Sequence, residues 1–271
     1  MLFTDLDGTL LNIDGRVSRE NIYTILRLKE LGIPTFAASA RAPRSVLRIS
    51  KSAGLGPLSI CANGAITFDV SQNKIVRHES ISPANSNEIV KAVRDIFPSA
   101  LLAGELINDF YAENLFFDSP IAGINATQVD NLAKSTSNGM TKIIARVPNE
   151  TSETLRHELS PLLSQISDVT ISGPDWIEFA PFGVSKATGV RHICQLLNIN
   201  PTEVAAIGDQ RNDISMLSLV GFPYCVQNAH PEVLELAKFM VPHHDESGFS
   251  HIIDQISPFL VGNKLVDDIL Y

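Results

Sequence analysis

The sequence predicts an α/β fold: a parallel sheet core with helices on both faces, interrupted by an inserted α+β block. Three observations carry this. Short apolar runs alternate with helical patterns in residues 1–62 and again after Pro181. Between roughly residues 83 and 181 that rhythm is lost. Several apolar runs in the outer blocks end on polar groups, as strands of an open parallel sheet do where ligands gather.

The first run, Leu2-Phe3-Thr4, leads into Asp5-Leu6-Asp7-Gly8-Thr9. A continuing strand would place Asp5 and Asp7 on one face. Gly8 argues that the strand stops, because glycine admits backbone angles that other residues avoid. Asp5 then lies where a buried strand meets a loop. Two carboxylates there suit a nucleophile with an acid/base, ligands of a hard cation, or simply a polar turn. An EF-hand fits poorly, since Gly8 is fourth from Asp5 and that loop needs glycine at its sixth position.

Ser18 is a candidate N-cap for a helix carrying Ile22, Ile25, Leu26, Leu28 and Leu31, with Gly32 as its stop. Ile33 to Ala38 is a strand that ends in Ser39-Ala40-Arg41. Pro43 suits the first turn of a helix with Val46, Leu47 and Ile49, running to Gly54. Ser59 to Ala62 is a third strand, closed by the turn Asn63-Gly64. Ile66–Asp69 and Lys74–His78 flank Ser71-Gln72-Asn73 as a hairpin.

The middle block offers helices at Asn87–Phe97 and Thr151–Gln165, the second with Pro161 as a possible break. Its strands are Leu101–Leu106, Asp109–Ala112, Lys142–Val147, Val169–Ser172 and Trp176–Ala180. Gln128 to Thr141 reads as a further helix, and Trp176 with Phe179 as core of this block. Lys142, Arg146, Arg156 and Glu105 are its candidate substrate contacts.

After Pro181 the alternation returns. Ser185 caps a helix from Lys186 to Leu197, and Val204–Ile207 is a strand ending in Gly208-Asp209. Ile214–Leu219 (helix), Phe222–Val226 (strand), Pro231–Ala237 (helix), Phe239–Val241 (strand) and Ile252–Leu260 (helix) follow. Asp209 and Asp213 suit capping of the helix at Ile214. His243-His244 suggests a metal but shows no third ligand beside it, so a solvated loop is the reading.

Composition bounds the function. The 271 residues are 44% hydrophobic and 19% charged, which suits a globular chain. The formal charge of −9 without a basic run counts against nucleic acid as a partner. No apolar run reaches membrane-helix length, and no basic region precedes an apolar segment, so neither membrane nor secretory signal is expected. The expected compartment is the cytoplasm. Cys61, Cys194 and Cys225 then read as reduced, buried thiols. In that setting Asn125-Ala-Thr127 and Asn149-Glu-Thr151 are chance matches to the glycosylation triplet. No Walker-type glycine loop occurs, and Gly54-Leu-Gly56 follows a helix, where a dinucleotide fingerprint should open one.

Taken together, Asp5/Asp7, Ser39/Arg41, Asn63 and Asp209/Asn212/Asp213 lie at strand ends, with Lys186 opening a helix. Adjacent parallel strands would bring them to one edge of a Rossmann-like sheet. In these motifs the chain resembles the haloacid dehalogenase-like phosphatase superfamily, in its Cof-type branch with a C2 α+β cap. Asp5-Leu-Asp7-Gly-Thr9 resembles the first motif, Ser39 the second, Lys186 the third, and Gly208-Asp209-Gln-Arg-Asn212-Asp213 the fourth, followed by Asn228-Ala229. One departure stands out: Ser39-Ala40-Arg41 replaces the branch's usual Thr-Gly-Arg.

The resemblance implies a discontinuous core, residues 1–82 and 182–271, and a specificity cap at 83–181. It implies a Mg²⁺-dependent phosphatase acting on a small phosphorylated metabolite through an aspartyl-phosphate. Asp5 would be the nucleophile and Asp7 the general acid/base. Mg²⁺ would be bound by Asp5, the Asp7 backbone carbonyl and Asp209, with Asp213 behind them. Ser39, Ala40, Arg41, Lys186 and Asn212 would hold phosphate or substrate. The charge balance agrees: a phosphate dianion beside several carboxylates is not offset by one lysine, so a divalent cation with oxygen ligands is needed. A phosphomutase of the same superfamily and a receiver-like phospho-accepting signalling domain are the alternatives. Oligomeric state is left open.

Overall fold

The computed structural model describes residues 1–114, 116, 126–135, 139–171 and 175–260. Among these, two sheets form. The larger has eight strands. Its first strand, β1 (Leu2–Thr4), is buried throughout, which is what a central strand covered on both faces requires. The chain then makes one wide turn over Leu6–Leu10, with Gly8 at φ +76°, and enters α1 (Arg19–Glu30). Ser18 caps α1 by accepting the Asn21 N–H at 3.1 Å. Next come β2 (Thr35–Ala38), α2 (Pro43–Ala53), β3 (Leu58–Cys61) and the hairpin β4 (Ile66–Asp69) with β5 (Lys74–His78).

The second sheet is built from the inserted region. Its elements are α3 (Pro83–Ile96), β6 (Leu101–Glu105), β7 (Phe110–Glu113), β8 (Ala126–Val129), β9 (Lys142–Arg146), α4 (Ser152–Leu163), β10 (Ser167–Ile171) and β11 (Trp176–Pro181). The chain returns to the first sheet through α5 (Lys186–Leu197), β12 (Ala205–Gly208), α6 (Ile214–Leu219), β13 (Phe222–Val226), α7 (Pro231–Leu236), β14 (Phe239–Val241) and α8 (Ile252–Leu260).

Strand order in the large sheet is β14-β13-β12-β1-β2-β3-β4-β5. The strands from β14 to β3 are parallel, and β4 and β5 add an antiparallel edge. After β1 the chain winds outward one way through β2 and β3, and after the insertion the other way through β12, β13 and β14. The order therefore reverses between β1 and β12, the switch point where open α/β sheets bind ligands. One apolar core lies around this sheet, with Phe3 and Phe36 ring centroids 5.5 Å apart on neighbouring strands. A separate core of Ile89, Val93, Leu102, Ile143, Leu155, Leu159 and Phe179 joins α3 and α4 to the second sheet.

Three expectations change. Among the described residues of Gln128–Thr141 the expected helix does not form: the start belongs to β8, which pairs parallel with β7, and one tight turn covers Leu132–Ser135, while 136–138 lie outside the described residues. Buried Glu113 accepts the Leu132 N–H at 2.9 Å, so ladder and side-chain partners take the backbone groups a helix would have used. The helix expected at Asn87 starts at Pro83, because Ser82 accepts the Asn85 N–H at 3.1 Å. Pro161 does not break α4, since it sits near the C-terminal end and the helix runs on to Leu163. Ser172 and Asn125 lie outside the described residues.

Among the described residues no helix is long and apolar enough to cross a membrane. All three cysteines are free and buried, and burial raises each thiol's pKa.

Candidate active site

The switch point brings three carboxylates together. Asp5 follows β1 and donates its N–H to Ile207 O of β12 at 2.9 Å. Asp209 follows β12 in the same layer. Asp213 sits just before α6. One carboxylate oxygen from each of the three lies within 4.8 Å of the others. All are buried, at 6%, 3% and 0% exposure. A pair of like charges about 4 Å apart costs roughly 4 kcal/mol at an effective dielectric of 20, so this cluster needs compensation.

Lys186 supplies part of it. The first residue of α5, it is wholly buried, and its Nζ donates to Asp5 Oδ1 and to Asp213 Oδ1, each at 2.6 Å. Burial would push its pKa down, but Asp213 and Asp5 hold it above the ordinary lysine range. Gly64 makes this approach possible: a Cβ there would lie 2.0 Å from Ser185 O. Burial raises Asp5, outweighing Lys186, and neighbouring Asp213 and Asp209 add to the rise. Asp209 is pushed up to about 6, by burial first and Asp213 second. Against three carboxylates, one buried ammonium leaves negative charge in excess. An all-oxygen donor set with surplus negative charge fits a hard divalent cation.

Neighbouring residues fix the cluster. Asp213 Oδ2 accepts the N–H groups of Asp209 and Gln210, each at 3.0 Å. It therefore shapes the loop behind it and, as the expectation had it, caps: it forms a capping box with Gln210 on the turn Arg211–Asp213 that leads into α6, rather than a cap on Ile214 itself. Thr9 Oγ1 donates to Asp209 Oδ1 at 2.9 Å. A Cβ on Gly8 would meet Asp209 Oδ2 at 2.5 Å. Asn228 Nδ2 donates to Gly8 O at 2.8 Å, tying the last motif to the first.

Asp7 lies differently from Asp5. It is exposed, and Arg41 grips it with two bonds, Nε to Oδ2 at 2.8 Å and Nη2 to Oδ1 at 2.5 Å. That grip raises Arg41 above its usual range. Ser39 is buried and its Oγ accepts the Arg41 N–H at 3.1 Å, closing the turn around Ala40. Asn212 Nδ2 donates to Asn63 Oδ1 at 3.0 Å.

A cavity of about 640 Å³ opens over Asp5 and Asp7. Ala40, Arg41, Gln210, Arg211, Asn212 and His230 line it from the first sheet's loops, and Lys142, Ile171, Trp176 and Glu178 from the second sheet. Ser39, Lys186, Asp209 and Asp213 lie behind this lining. Lys142 Nζ reaches across to Ala40 O at 3.1 Å, and Arg44 reaches back to Glu105 at 2.9 Å. Burial works against Lys142, yet Glu178 and Glu105 raise its pKa.

Sequence reasoning missed several of these residues. Trp176 lines the cavity, while Phe179 is the core residue. Glu178 shares a face of β11 with Trp176 and opposes Phe179, and that alternation was the available signal. Of the proposed contacts, Arg146 pairs with Asp175 at 2.6 Å and Arg156 with Glu153 at 3.1 Å. His243 and His244 do have a third group beside them: Asp245, within 4.8 Å. Its Oδ1 accepts the Ile13 N–H at 2.7 Å, and His244 Nδ1 bonds Leu11 O at 2.7 Å, so these two pin the loop after the first motif.

The fold and site thus define an α/β protein with a buried carboxylate cluster at the switch point of its parallel sheet, beneath a second, inserted sheet. Residues 2–253 match the model of the haloacid dehalogenase-like hydrolases, and the chain belongs to that family. It is 25% identical over 264 residues to the 5-amino-6-(5-phospho-D-ribitylamino)uracil phosphatase YitU of Bacillus subtilis, across 94% of this chain and 96% of that protein. It is 26% identical over 287 residues to the phosphatase YwpJ of the same organism, across 94% and 99%. Two solved structures share the fold. SMU.1108c from Streptococcus mutans gives a TM-score of 0.83 at 22% identity, covering 95% of this chain and 98% of that one. TM0651 from Thermotoga maritima gives 0.78 at 24% identity, covering 94% and 96%.

Proposed function

We propose that this hydrolase is a Mg²⁺-dependent phosphatase of the Cof-type branch, cleaving a small phosphorylated metabolite such as a sugar phosphate. The observation that carries this is Asp5, a buried carboxylate at the wall of a cavity, held by Lys186 and flanked by Asp209. Asp5 Oδ attacks phosphorus, the bond to the leaving oxygen breaks, and Asp7, having left Arg41 and taken a proton from solvent before this step, gives that oxygen its proton. Asp7 then takes a proton from water as the water oxygen bonds phosphorus, and the Asp5–phosphorus bond breaks. Inorganic phosphate and an alcohol are the products.

Asp5, Asp209 and the Asp7 backbone carbonyl would hold Mg²⁺, which when bound neutralises oxygens of the substrate phosphate. Both Asp213 oxygens are already engaged, which suits a role behind Asp209 and Lys186 rather than as a ligand. Ser39 and Lys186 contact the transferring phosphoryl group in this reading, and Asn212, Ala40 and Arg41 border it. We divide the chain into a core, 1–82 and 182–271, and a C2 cap, 83–181, that sets substrate choice. Three free buried thiols suit a reducing compartment, the cytoplasm.

Both named relatives are phosphatases, which supports hydrolysis over the phosphomutase alternative. The inserted sheet weighs against a receiver-like domain. The test is phosphate release from a panel of phosphomonoesters with Mg²⁺, with Asp5→Asn as control. Isomerisation without phosphate release would favour the mutase, and undiminished turnover in Asp5→Asn would remove the covalent route.

A further inference from the structure

Every arginine and lysine lining the cavity among the described residues already holds a carboxylate. Arg41 holds Asp7. Arg211 holds Glu153 and Glu232, each at 3.0 Å. Lys142, which faces the cavity from β9, donates to both oxygens of Glu178, at 3.1 and 3.0 Å, and to Ala40 O. The pair is nearly closed off from solvent, with side chains 9% and 12% exposed. Beside it, Trp176 and Ile171 give the cavity an apolar wall.

The geometry points to the Lys142–Glu178 pair as the specificity determinant of the cavity, admitting a neutral, hydroxyl-bearing leaving group and rejecting one with a second anion. This rests on the phosphatase reading above. A second phosphate or a carboxylate on the leaving group would need a cation. Taking Lys142 would strip Glu178 of its partner in a desolvated site, and the uncompensated carboxylate would face the new anion. Neutral hydroxyls meet no such conflict. Two carboxylate oxygens offer about four acceptor positions, of which Lys142 fills two, so hydroxyls can donate to the rest. Sugar or ring carbons can lie against Trp176.

The test measures kcat/KM of the full chain with Mg²⁺ on ribitol 5-phosphate, 2-phosphoglycolate and p-nitrophenyl phosphate. The wild type should favour ribitol 5-phosphate over 2-phosphoglycolate by at least about tenfold. Glu178→Gln keeps the shape but leaves Lys142 only the weaker pairing with Glu105, 3.8 Å away and already held by Arg44 at 2.9 Å. It should raise kcat/KM for 2-phosphoglycolate and narrow the ratio by about tenfold. Adding Lys142→Met to Glu178→Gln should abolish that gain. Equal use of the two metabolites by the wild type overturns the inference, as does a Glu178→Gln ratio that does not move while p-nitrophenyl phosphate is still cleaved. Failure to cleave any of the three overturns the phosphatase reading and this inference with it.

Discussion

Lys186 Nζ donates to Asp5 Oδ1 at 2.6 Å, joining residues 181 positions apart in the chain. The same nitrogen holds Asp213, so a single ammonium serves two buried carboxylates. Much of the site's stability, metal affinity and chemistry follows from that sharing.

Lys186→Met keeps the volume and removes the charge. Two carboxylates are then left buried without their cation, and the expected loss is about 3–5 kcal/mol of folding stability. Urea unfolding of the metal-free protein measures it, and added Mg²⁺ should recover part of the loss.

Asp5→Asn keeps the shape but removes the nucleophile. Phosphate release should fall by about 10⁴-fold or more. Asp7→Asn should lose about 10²–10⁴-fold on alkyl phosphates, because the leaving oxygen then lacks its proton donor. On p-nitrophenyl phosphate the Asp7→Asn loss should be smaller, since that leaving group departs without a proton. Steady-state kinetics on both substrate types separates the two roles.

Asp209 sits at about 6, against 3.8 for an ordinary aspartate, chiefly because it is buried. A carboxyl raised by folding stabilises the protein in acid, and that contribution is lost as pH rises through the folded value. The metal-free protein should therefore lose roughly 3 kcal/mol from this group between pH 4 and 6. Mg²⁺ competes with the same proton, so its apparent affinity should fall about tenfold per unit below pH 6. Melting temperatures with and without Mg²⁺ at pH 4, 5, 6 and 7.5 check both signs.

Gly8 has φ +76°, and a Cβ there would lie 2.5 Å from Asp209 Oδ2. Gly8→Ala should cost about 1–2 kcal/mol through backbone strain. By displacing the Asp209 carboxylate it should also raise the Mg²⁺ concentration for half-maximal activity. Metal titration of activity reads the second effect, and thermal unfolding reads the first.

The parallel sheet could be read from the chain because its cues are local. Buried strands such as Leu2–Thr4 are short apolar runs, and Ser18, Pro43 and Gly54 mark helix ends by their own backbone chemistry. Gln128–Thr141 was misread because β8 owes its conformation to β7, a partner its own sequence does not announce. Trp176 was misread for a related reason. Alternation along β11 shows that Trp176 and Phe179 differ in direction, but not which side faces the cavity.

By itself the sequence determined which chemical groups exist and which of them end strands: Asp5, Asp7, Ser39, Asp209 and Asp213 follow from apolar runs that stop at polar residues. Only the tertiary structure decided their pairing. It set Asp7 on Arg41, Asp5 and Asp213 on one lysine, and Glu178 on Lys142. Strand ends depend on neighbours in the chain, whereas buried charges choose partners by distance in a low-dielectric interior, and that distance is fixed by strand order.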